Sequence, residues 1–454
     1  MNLAVVILAA GQGTRMKSSL PKVLHPLAGQ PLVSYSLNTA RSLATHPPVL
    51  VVGRGSEAVR TAVGASAIFV EQAERLGTGH AVLQAREALR GKTDLVAVIY
   101  ADMPLLTADS VQRLVDRQTS NTGPLTILVL VSDNPRGFGR VIRDTTGAVR
   151  EVVEEAVATP EQMAVNELNA GVYCFDADWL WSNIDKIPLS MPKGEYYLTD
   201  MVGMSARDGR RVEGVITTDD SLAIGVNTLV HLAEAEQALR RRINTHWMTE
   251  GVTIVDPATT YIEPSVTIGS DTTIWPNTHL RGHTTVGSAC QIGPNSVVSD
   301  CTIADQCRVL ASVLEHAVMQ KGANIGPFSH LRKGAELGEN AHVGNFGELK
   351  NAKLGSGVRM GHFGYLGDAE VATKVNIGAG TITCNYDGVQ KHRTVIEEGA
   401  FIGSDTMLVA PVRIGRGAKT GAGSVVTHDV PDGSVAYGVP ARIQERKDQQ
   451  DDQD

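Results

Sequence analysis

The chain has 454 residues, of which 42% are hydrophobic and 20% are charged, a composition typical of a folded protein with two or three domains. Its formal net charge of -8 argues against nucleic acid as a partner. No apolar run is long enough for a membrane span, and residues 3–10 lack the basic flank of a signal peptide. The five cysteines include no CxxC pair, so reduced thiols in a cytoplasmic protein are expected.

Residues 1–226 alternate short apolar segments with helical patterns. The apolar segments predict strands at 3–10, 49–52, 95–100, 125–131 and 171–175, and the helical patterns predict helices at 32–43 and 110–118. Alternation of this kind predicts an α/β domain with a mostly parallel sheet. Residues 227–250 have the pattern of one helix, with Leu232, Leu239 and Ile243 on a single stripe, and we interpret them as a linker between domains.

The second half of the chain carries an aliphatic residue at every sixth position. The longest unbroken series consists of Ile262, Ile268, Ile274, Leu280, Val286, Ile292 and Val298. An α-helix does not explain this spacing, because six residues are not a whole number of turns. The repeat predicts a parallel β-helix over residues 251–440, with about eighteen residues per coil. An interruption near 384–393 predicts a protruding loop, and the polar segment 441–454 predicts a disordered tail.

A glycine-rich loop, LAAGQGTRM at residues 8–16, follows the first predicted strand and is followed by Pro21 and Lys22. Small residues after a strand allow backbone N–H groups to close around phosphate. A purely structural turn is the alternative, but the added charges of Arg15 and Lys22 favour a phosphate site.

Asp102 comes directly after the apolar run 95–101, at the carboxyl end of a predicted buried strand. Ligands of open α/β sheets bind at that edge, and a carboxylate beside phosphate groups suits Mg²⁺. The alternative is that Asp102 only caps a helix that begins near Pro104.

These motifs resemble the signature of the sugar-1-phosphate nucleotidyltransferases: LAAGQGTRM, the Pro21-Lys22 pair, Gln72 with LGTGH at 76–80, and YAD at 100–102. Together with the six-residue repeats that follow them in the sequence, these motifs make nearly the whole chain resemble the bacterial bifunctional N-acetylglucosamine-1-phosphate uridyltransferase/glucosamine-1-phosphate acetyltransferases. The resemblance implies a Rossmann-like α/β uridyltransferase domain at 1–226, a linker helix at 227–250 and a left-handed β-helix acetyltransferase domain at 251–440.

For the first domain, the resemblance implies uridylyl transfer from UTP to N-acetylglucosamine-1-phosphate. Mg²⁺ would be held by Asp102 and Asn227, which also contact the nucleotide sugar, while Arg15 and Lys22 would offset phosphate charge during catalysis. The other implied nucleotide- and sugar-binding residues are Leu8, Ala9, Ala10, Gly11, Gln72, Gly77, Thr78, Tyr100, Ala101, Gly139, Glu154 and Asn169. Ala101 stands where the family usually has Gly, and Phe138 stands where Tyr is common.

A second group of polar residues lies inside the repeats. With eighteen residues per coil, positions 332, 350 and roughly 365 should stack, and Arg332, Lys350 and Tyr365 would suit a phosphate monoester. A lone histidine is more often a surface or packing residue than a base, but the proximity of Glu348 favours a catalytic role for His362.

The sequence GHFGYLGD at 361–368 and the sequence at 376–388 extend the resemblance into this region. They imply acetyl transfer from acetyl-CoA to glucosamine-1-phosphate, with His362 as the general base and Glu348 orienting the base or the amine. The implied sugar-phosphate ligands are Arg332, Lys350, Tyr365, Asn376 and Lys391. The implied acetyl-CoA contacts are Ala379, Asn385, Tyr386, Ser404, Ala422 and Arg442, the last as a substitute for a family arginine that has no match at its usual position.

The resemblance thus predicts a cytoplasmic homotrimer that makes UDP-N-acetylglucosamine for peptidoglycan and lipopolysaccharide, with acetyl-transfer sites between chains. Its predicted partners are small molecules, not nucleic acid or membrane. Two other interpretations stay open. The first is a sugar nucleotidyltransferase with a different nucleotide or sugar, and the second is a β-helix that serves only for oligomerisation or regulation.

Overall fold

The computed structural model describes residues 1–191 and 194–444, and the chain forms two compact units. The first unit is Met1–Leu239 and the second begins at Arg240, so the division falls inside the helix Leu229–Thr249. This helix lies within the predicted linker 227–250. Among the described residues, no helix combines the length and the apolar character that crossing a bilayer requires.

The first unit is built on a mixed sheet. Its main path contains, in spatial order, Val212–Thr217, Leu125–Val131, Glu167–Asp176, Leu95–Tyr100, Leu3–Ala9, Val49–Gly53 and Ile68–Gln72. Arg140–Arg143 and Val149–Val153 extend it beside Glu167–Asp176, which runs antiparallel to both of its main-path neighbours. The other main-path pairs are parallel, which confirms the predicted mostly parallel sheet. A two-stranded ladder of Pro26–Leu27 and Gln30–Pro31 lies apart from this sheet.

Helices pack on this sheet and form two apolar clusters with it. The α-helices are Leu32–Leu43, Glu57–Val63, Thr78–Leu83, Arg86–Leu89, Ala108–Ser120, Pro160–Met163, Ala177–Asn183 and Asp200–Arg207. Short 3-10 helices are Thr14–Met16, Lys22–Leu24, Gly64–Ser66, Glu155–Val157, Ile184–Lys186 and Asp220–Ala223. The helix after Asp102 begins only at Ala108, where the Thr107 side chain accepts a hydrogen bond from Ser110 N. Asp102 is therefore not a helix cap.

The second unit is a parallel β-helix whose short strands form three faces, after a 3-10 turn at Pro257–Thr259 near its start. The first face contains Thr253–Ile254, Thr273–Ile274, Gln291–Ile292, Arg308–Val309, Asn324–Ile325, His342–Val343, Arg359–Met360, Asn376–Ile377, Phe401–Ile402, Lys419–Thr420, Val435–Gly438 and Ala441–Gln444. The second face contains Thr260–Ile262, Thr278–Arg281, Val297–Ser299, Val313–Glu315, His330–Leu331, Gly347–Lys350, Gly364–Gly367, Thr381–Cys384, Met407–Val409 and Val425–Val426. The third face contains Thr267–Ile268, Thr285–Val286, Thr302–Ile303, Val318–Met319, Glu336–Leu337, Lys353–Leu354, Ala369–Val371, Thr394–Ile396 and Val412–Ile414.

The hexad residues point inward and stack in register on successive coils, as the repeat predicts. Leu331, Leu349 and Leu366 are partners on neighbouring strands of the second face, and all three are fully buried. The coil from Leu331 to Leu349 has eighteen residues, but the coil from Leu349 to Leu366 has seventeen.

The shorter coil moves the outward-facing partners by one position. Tyr365 lies beside Glu348, and Lys350 lies beside Gly367. The expected stacking of position 350 with position 365 is therefore wrong by two residues. Eighteen residues from position 350 lead to 368 and the seventeen-residue coil leads to 367, so the misplacement of Tyr365 came from the rough count and not from the coil length.

Residues 385–393 interrupt the repeat between Thr381–Cys384 and Thr394–Ile396, and they fold back through a bridge between Tyr386 and Lys391. At the other end, Ala441–Gln444 pairs antiparallel with Val435–Gly438 and so forms a strand, where a disordered tail was expected. The rest of that predicted tail, 445–454, lies outside the described residues. All five cysteines are free, in agreement with the expected reduced thiols.

Candidate functional site

The carboxyl ends of the central strands of the first unit surround a cavity of about 310 Å³. Ten of the predicted nucleotide-binding residues line it: Leu8, Ala9, Ala10, Gly11, Lys22, Gln72, Gly77, Thr78, Tyr100 and Asp102. Gly77 has a φ of 97°, and a Cβ there would fall 2.5 Å from the backbone oxygen of Tyr196. Only glycine fits this approach, so the glycine of the LGTGH motif shapes the wall of the cavity.

Gln72 ends the strand Ile68–Gln72 and is buried, with 4% of its surface exposed. Its Nε2 donates to the Gly77 carbonyl at 3.0 Å and lies 3.2 Å from His80 Nδ1. Since an amide nitrogen only donates, these contacts fix the side-chain orientation and leave Oε1 as the acceptor. A ligand N–H group is the chemical complement of that oxygen.

Lys22, Asp102 and Asn227 meet beside this cavity. Lys22 Nζ pairs with Asp102 Oδ2 and donates to Asn227 Oδ1 at 3.1 Å. The Asn227 segment is brought close because Val226 N donates to the Asp102 carbonyl at 2.8 Å. Two acceptor oxygens from distant parts of the chain therefore converge on one cationic atom.

A second cavity of about 320 Å³ shares Thr78, Tyr100 and Asp102 with the first. It is also lined by the predicted sugar-binding residues Gly139, Glu154, Asn169 and Asn227. Burial, followed by the nearby charges of Asp102 and Glu154, raises the pKa of Tyr100, so its phenol stays neutral and can donate a hydrogen bond.

Two predicted residues lie away from these cavities. Ala101 is fully buried and lines neither cavity, so its side chain belongs to the core. Arg15 lies in the 3-10 helix Thr14–Met16, is exposed, and lines neither of the two cavities.

The structure adds residues that no motif had indicated. Glu195 and Tyr197 line the first cavity, and Thr199 lines the second, where its hydroxyl donates to Glu154 Oε1 at 3.1 Å. These three residues lie in an irregular segment without a periodic pattern. Its only sequence signal for a binding site is the presence of aromatic residues next to a carboxylate.

Arg75 is the fourth such residue. It lines the first cavity, and its Nε donates to the Ala10 carbonyl at 2.9 Å. It also lines an adjoining depression of about 230 Å³ that includes Lys22 and Arg54 and has no carboxylate among its lining residues. The charge of this depression suits an anion.

In the second unit, the predicted catalytic residues lie on or beside the second face. Glu348 accepts a hydrogen bond from Arg332 Nη1 at 2.9 Å and neighbours Tyr365 on the next coil. His362 is exposed and, within the described part of the chain, forms no hydrogen bond or ion pair. The structure thus pairs Glu348 with Arg332, whereas the sequence had suggested a pairing with His362.

His362 lies at the corner between the first and second faces, and this corner also carries the predicted coenzyme contacts. On successive coils the corner holds Ala379, Ser404 and Ala422. Backbone hydrogen bonds connect these coils, from Gly380 N to Phe363 O at 2.7 Å, from Asp405 N to Ala379 O at 2.6 Å and from Gly423 N to Ser404 O at 2.8 Å. The predicted base and the predicted groove therefore share one edge of the β-helix.

The remaining predicted residues are distributed over other parts of the unit. Asn376 is on the first face, and Arg442 is exposed on its last described strand. Lys391 and Tyr386 belong to the interrupting loop, in which His392 Nε2 lies 2.7 Å from Asp387 Oδ2. Within one chain, Asn376 is separated from Glu348 and Tyr365 on the second face.

Residues 5–167 match the family of MobA-like NTP transferase domains, and residues 393–428 match the bacterial transferase hexapeptide family (six repeats). Three relatives called bifunctional protein GlmU align with nearly the whole chain. The protein of Pelobacter propionicus is 46% identical over 96% of this chain and 95% of its own length. That of Trichlorobacter lovleyi is 45% identical over 95% of each chain, and that of Exiguobacterium sibiricum is 43% identical over 96% of this chain and 97% of its own.

Proposed function

The chain belongs to the GlmU family of bifunctional proteins, and we propose on this premise that each of its two units catalyses one reaction. The second unit, a left-handed parallel β-helix, transfers acetyl from acetyl-CoA to the amine of glucosamine-1-phosphate. The first unit, an α/β nucleotidyltransferase domain, transfers uridylyl from UTP to N-acetylglucosamine-1-phosphate and releases pyrophosphate. The product is UDP-N-acetylglucosamine, for peptidoglycan and lipopolysaccharide synthesis. The observation that carries the proposal is that each unit has its own set of chemical groups.

Uridylyl transfer requires two anions to meet, because the sugar phosphate attacks the α-phosphate of UTP. The attacking phosphate is already ionised, so the protein supplies no base. Lys22 offsets negative charge, and the Gln72 Oε1 acceptor suits the N–H of uracil. The neutral phenol of Tyr100, between the two cavities, can donate to a sugar or phosphate oxygen.

Asp102 and Asn227 are the proposed ligands of Mg²⁺. Their side-chain oxygens converge on Lys22 Nζ and so face a common cationic position. Mg²⁺ prefers oxygen ligands and takes several of them from water and substrate phosphates, so two protein ligands are enough. When bound, the ion supplies positive charge that stabilises the phosphate under attack. The residues fit the metal, although the described residues contain no cluster of three or more His, Cys, Asp or Glu side chains that could hold an ion without substrate.

In acetyl transfer, the amine loses a proton as its nitrogen attacks the thioester. We assign the general base to His362, whose imidazole is exposed at the corner that continues to Ala379 and Ser404. Glu348, held by Arg332, orients the base or the amine. Lys350, Tyr365, Asn376 and Lys391 complete the proposed site for the sugar phosphate, together with Arg332. Asn385, Tyr386, Ala422 and Arg442 add to the acetyl-CoA contacts.

We further propose a cytoplasmic homotrimer without nucleic-acid or membrane partners. The corner that carries His362 exposes Phe328 by 63%, Phe346 by 58% and Phe363 by 55%, and the first two rings stack with centroids 5.5 Å apart. Apolar surface of this kind favours contact with another copy of the chain. A trimer would also bring Asn376 on one chain's first face toward a neighbour's second face.

The test of the function is a product assay with glucosamine-1-phosphate, acetyl-CoA, UTP and Mg²⁺, with one component omitted at a time. UDP-N-acetylglucosamine should form only in the complete mixture. Better turnover of another nucleotide or sugar would support a different nucleotidyltransferase. Uridylyl transfer without any acetylation would support a β-helix that serves only for assembly.

We expect the fragment of residues 1–239 to transfer uridylyl groups at a rate within about threefold of the full chain, because it forms a compact unit with both cavities. A shorter fragment, 1–227, lacks Glu234 and Glu236. Their carboxylates accept hydrogen bonds from Arg136 at 3.0 Å and from Ala28 N at 2.7 Å, and each contact contributes about 1 kcal/mol. Thermal melting should show the shorter fragment to be less stable. A folded 1–239 fragment without turnover would contradict the proposal.

We expect Arg75→Ala to raise the KM for UTP about fivefold, the effect of an exposed charge contact of about 1 kcal/mol. The reason is that Arg75 borders both the first cavity and the adjoining cationic depression. Arg90→Ala removes an exposed arginine that borders neither and serves as the control. Equal KM values for the two variants would show that Arg75 does not contact the nucleotide.

A further inference from the structure

A ladder of three polar side chains follows the corner between the second and third faces. Asn351, Asp368 and Asn385 each come directly after a strand of the second face, on three successive coils. The Asn351 amide donates to Asp368 Oδ1 at 2.6 Å, and the Asn385 amide donates to Asp368 Oδ2. Asp368 therefore binds the amide of the coil before it and the amide of the coil after it.

The contact with Asn385 fixes which way that amide faces. A carboxylate at neutral pH only accepts hydrogen bonds, so Asn385 must turn its NH2 group toward Asp368. Asn385 is 8% exposed, and its Oδ1 accepts no hydrogen bond from the described residues while keeping access to solvent. Asp368 thereby presents Asn385 as a hydrogen-bond acceptor.

Tyr365 is packed against the same amide. A Cβ built at Gly367 would fall 2.3 Å from the Tyr365 phenolic oxygen and 2.8 Å from Asn385 Nδ2, so glycine is required for the two side chains to approach. Burial raises the pKa of Tyr365, and the neighbouring Asn385 amide opposes this rise. The Asn385 amide therefore lies next to Tyr365 while its hydrogen bond goes to Asp368.

The charge of Asp368 is maintained by its surroundings. Partial burial raises its pKa, but the hydrogen bonds from Asn351 and Asn385 and the charges of Lys391 and Lys350 leave that pKa below its ordinary value. These two lysines belong to the proposed sugar-phosphate site. Asp368 therefore connects the orientation of Asn385 to the cations of that site.

We propose that Asp368 is a positioning residue of the acetyl-transfer site, which holds Asn385 with its Oδ1 directed toward an N–H group of a substrate. The inference rests on the proposed acetyltransferase function. Two substrates offer such a group, namely the amine of the amino sugar and the amide of the pantetheine arm of acetyl-CoA. The shared chemistry is one N–H donor received by one fixed acceptor.

The test exchanges the side chains of Asn385 and Asp368. Asn385→Asp places two carboxylates face to face and should lower kcat/KM for acetyl transfer by about 10–100-fold, as the loss of a charge-assisted hydrogen bond does. Adding Asp368→Asn restores one carboxylate and one amide while keeping an outward oxygen at position 385. The double variant should recover to within about threefold of the parent. Asn351→Ala, which removes the other partner of Asp368, is the matched control and should stay within about threefold as well.

Several outcomes decide the inference. If the exchange does not rescue Asn385→Asp, or if that single variant acetylates like the parent, the acceptor role is wrong. The substrate whose KM rises in Asn385→Asp and returns in the double variant supplies the N–H group. Uridylyl transfer should stay constant throughout. If the parent itself makes no N-acetyl product, the proposed acetyltransferase function is wrong. The contact between Asp368 and Asn385 is then tested by the melting temperature. It should fall in Asn385→Asp and recover in the double variant.

Discussion

Asp102→Ala should lose uridylyl transfer by at least ~10²-fold while acetyl transfer stays within about twofold of the parent. The change removes an oxygen that faces the cationic position beside Lys22 and Asn227. Charge stabilisation by a metal at a phosphate is worth several kcal/mol, which corresponds to this loss of rate. Pyrophosphate release with UTP and N-acetylglucosamine-1-phosphate measures the first reaction, and release of coenzyme A measures the second.

Two further variants make this result specific. Asp102→Asn keeps one oxygen ligand and should fall between the parent and Asp102→Ala. Asp109→Ala removes an exposed carboxylate from the first turn of the helix Ala108–Ser120 and should leave both rates unchanged. If Asp102→Ala retained full turnover that depends on Mg²⁺, the assignment of Asp102 as a metal ligand would be abandoned.

His362→Ala should reduce acetyl transfer by ~10²–10⁴-fold, the usual contribution of a general base. Uridylyl transfer and the oligomeric state should be unaffected, because the change leaves the first unit and the exposed aromatic rings of the corner in place.

His283→Ala is the matched control, because His283 is an exposed histidine several coils away on the same β-helix. Its acetyl transfer should equal that of the parent. Should His362→Ala acetylate within about threefold of the parent, His362 is a surface residue and the base must be sought elsewhere, with Glu348 as the next group to test.

The sequence was sufficient for features that depend on strong periodicity. The buried strands Leu95–Tyr100 and Leu125–Val131 and the helix Leu32–Leu43 have the bounds that their patterns predict. Strands buried on both faces form continuous apolar runs, which are easily seen. The partly exposed Ile68–Gln72 has a mixed pattern and was not predicted, although its last residue lines the first cavity.

The sites were harder to predict, because their contacts join distant segments. The meeting of Lys22 with Asn227 spans 205 positions and depends on how two loops pack. Tyr197 and Thr199 line the cavities from an irregular segment that has no periodic hydrophobic pattern. In the β-helix, the hexad count identified the architecture, but a rough count along the coil misplaced Tyr365 relative to Lys350 by two residues.

That shorter coil suggests how a repeat protein can acquire new chemistry. The missing residue lies at the Asn351 corner, where the inward-facing Leu354 comes five positions after Leu349 instead of six. Deleting or inserting one residue at a corner leaves each aliphatic column intact and keeps the flanking strands in register, so only the side chains of the corner itself change. Corner length is thus an evolutionary variable that is nearly independent of core stability. Designed one-residue insertions at such corners offer a way to change the corner groups of this scaffold without redesigning its interior.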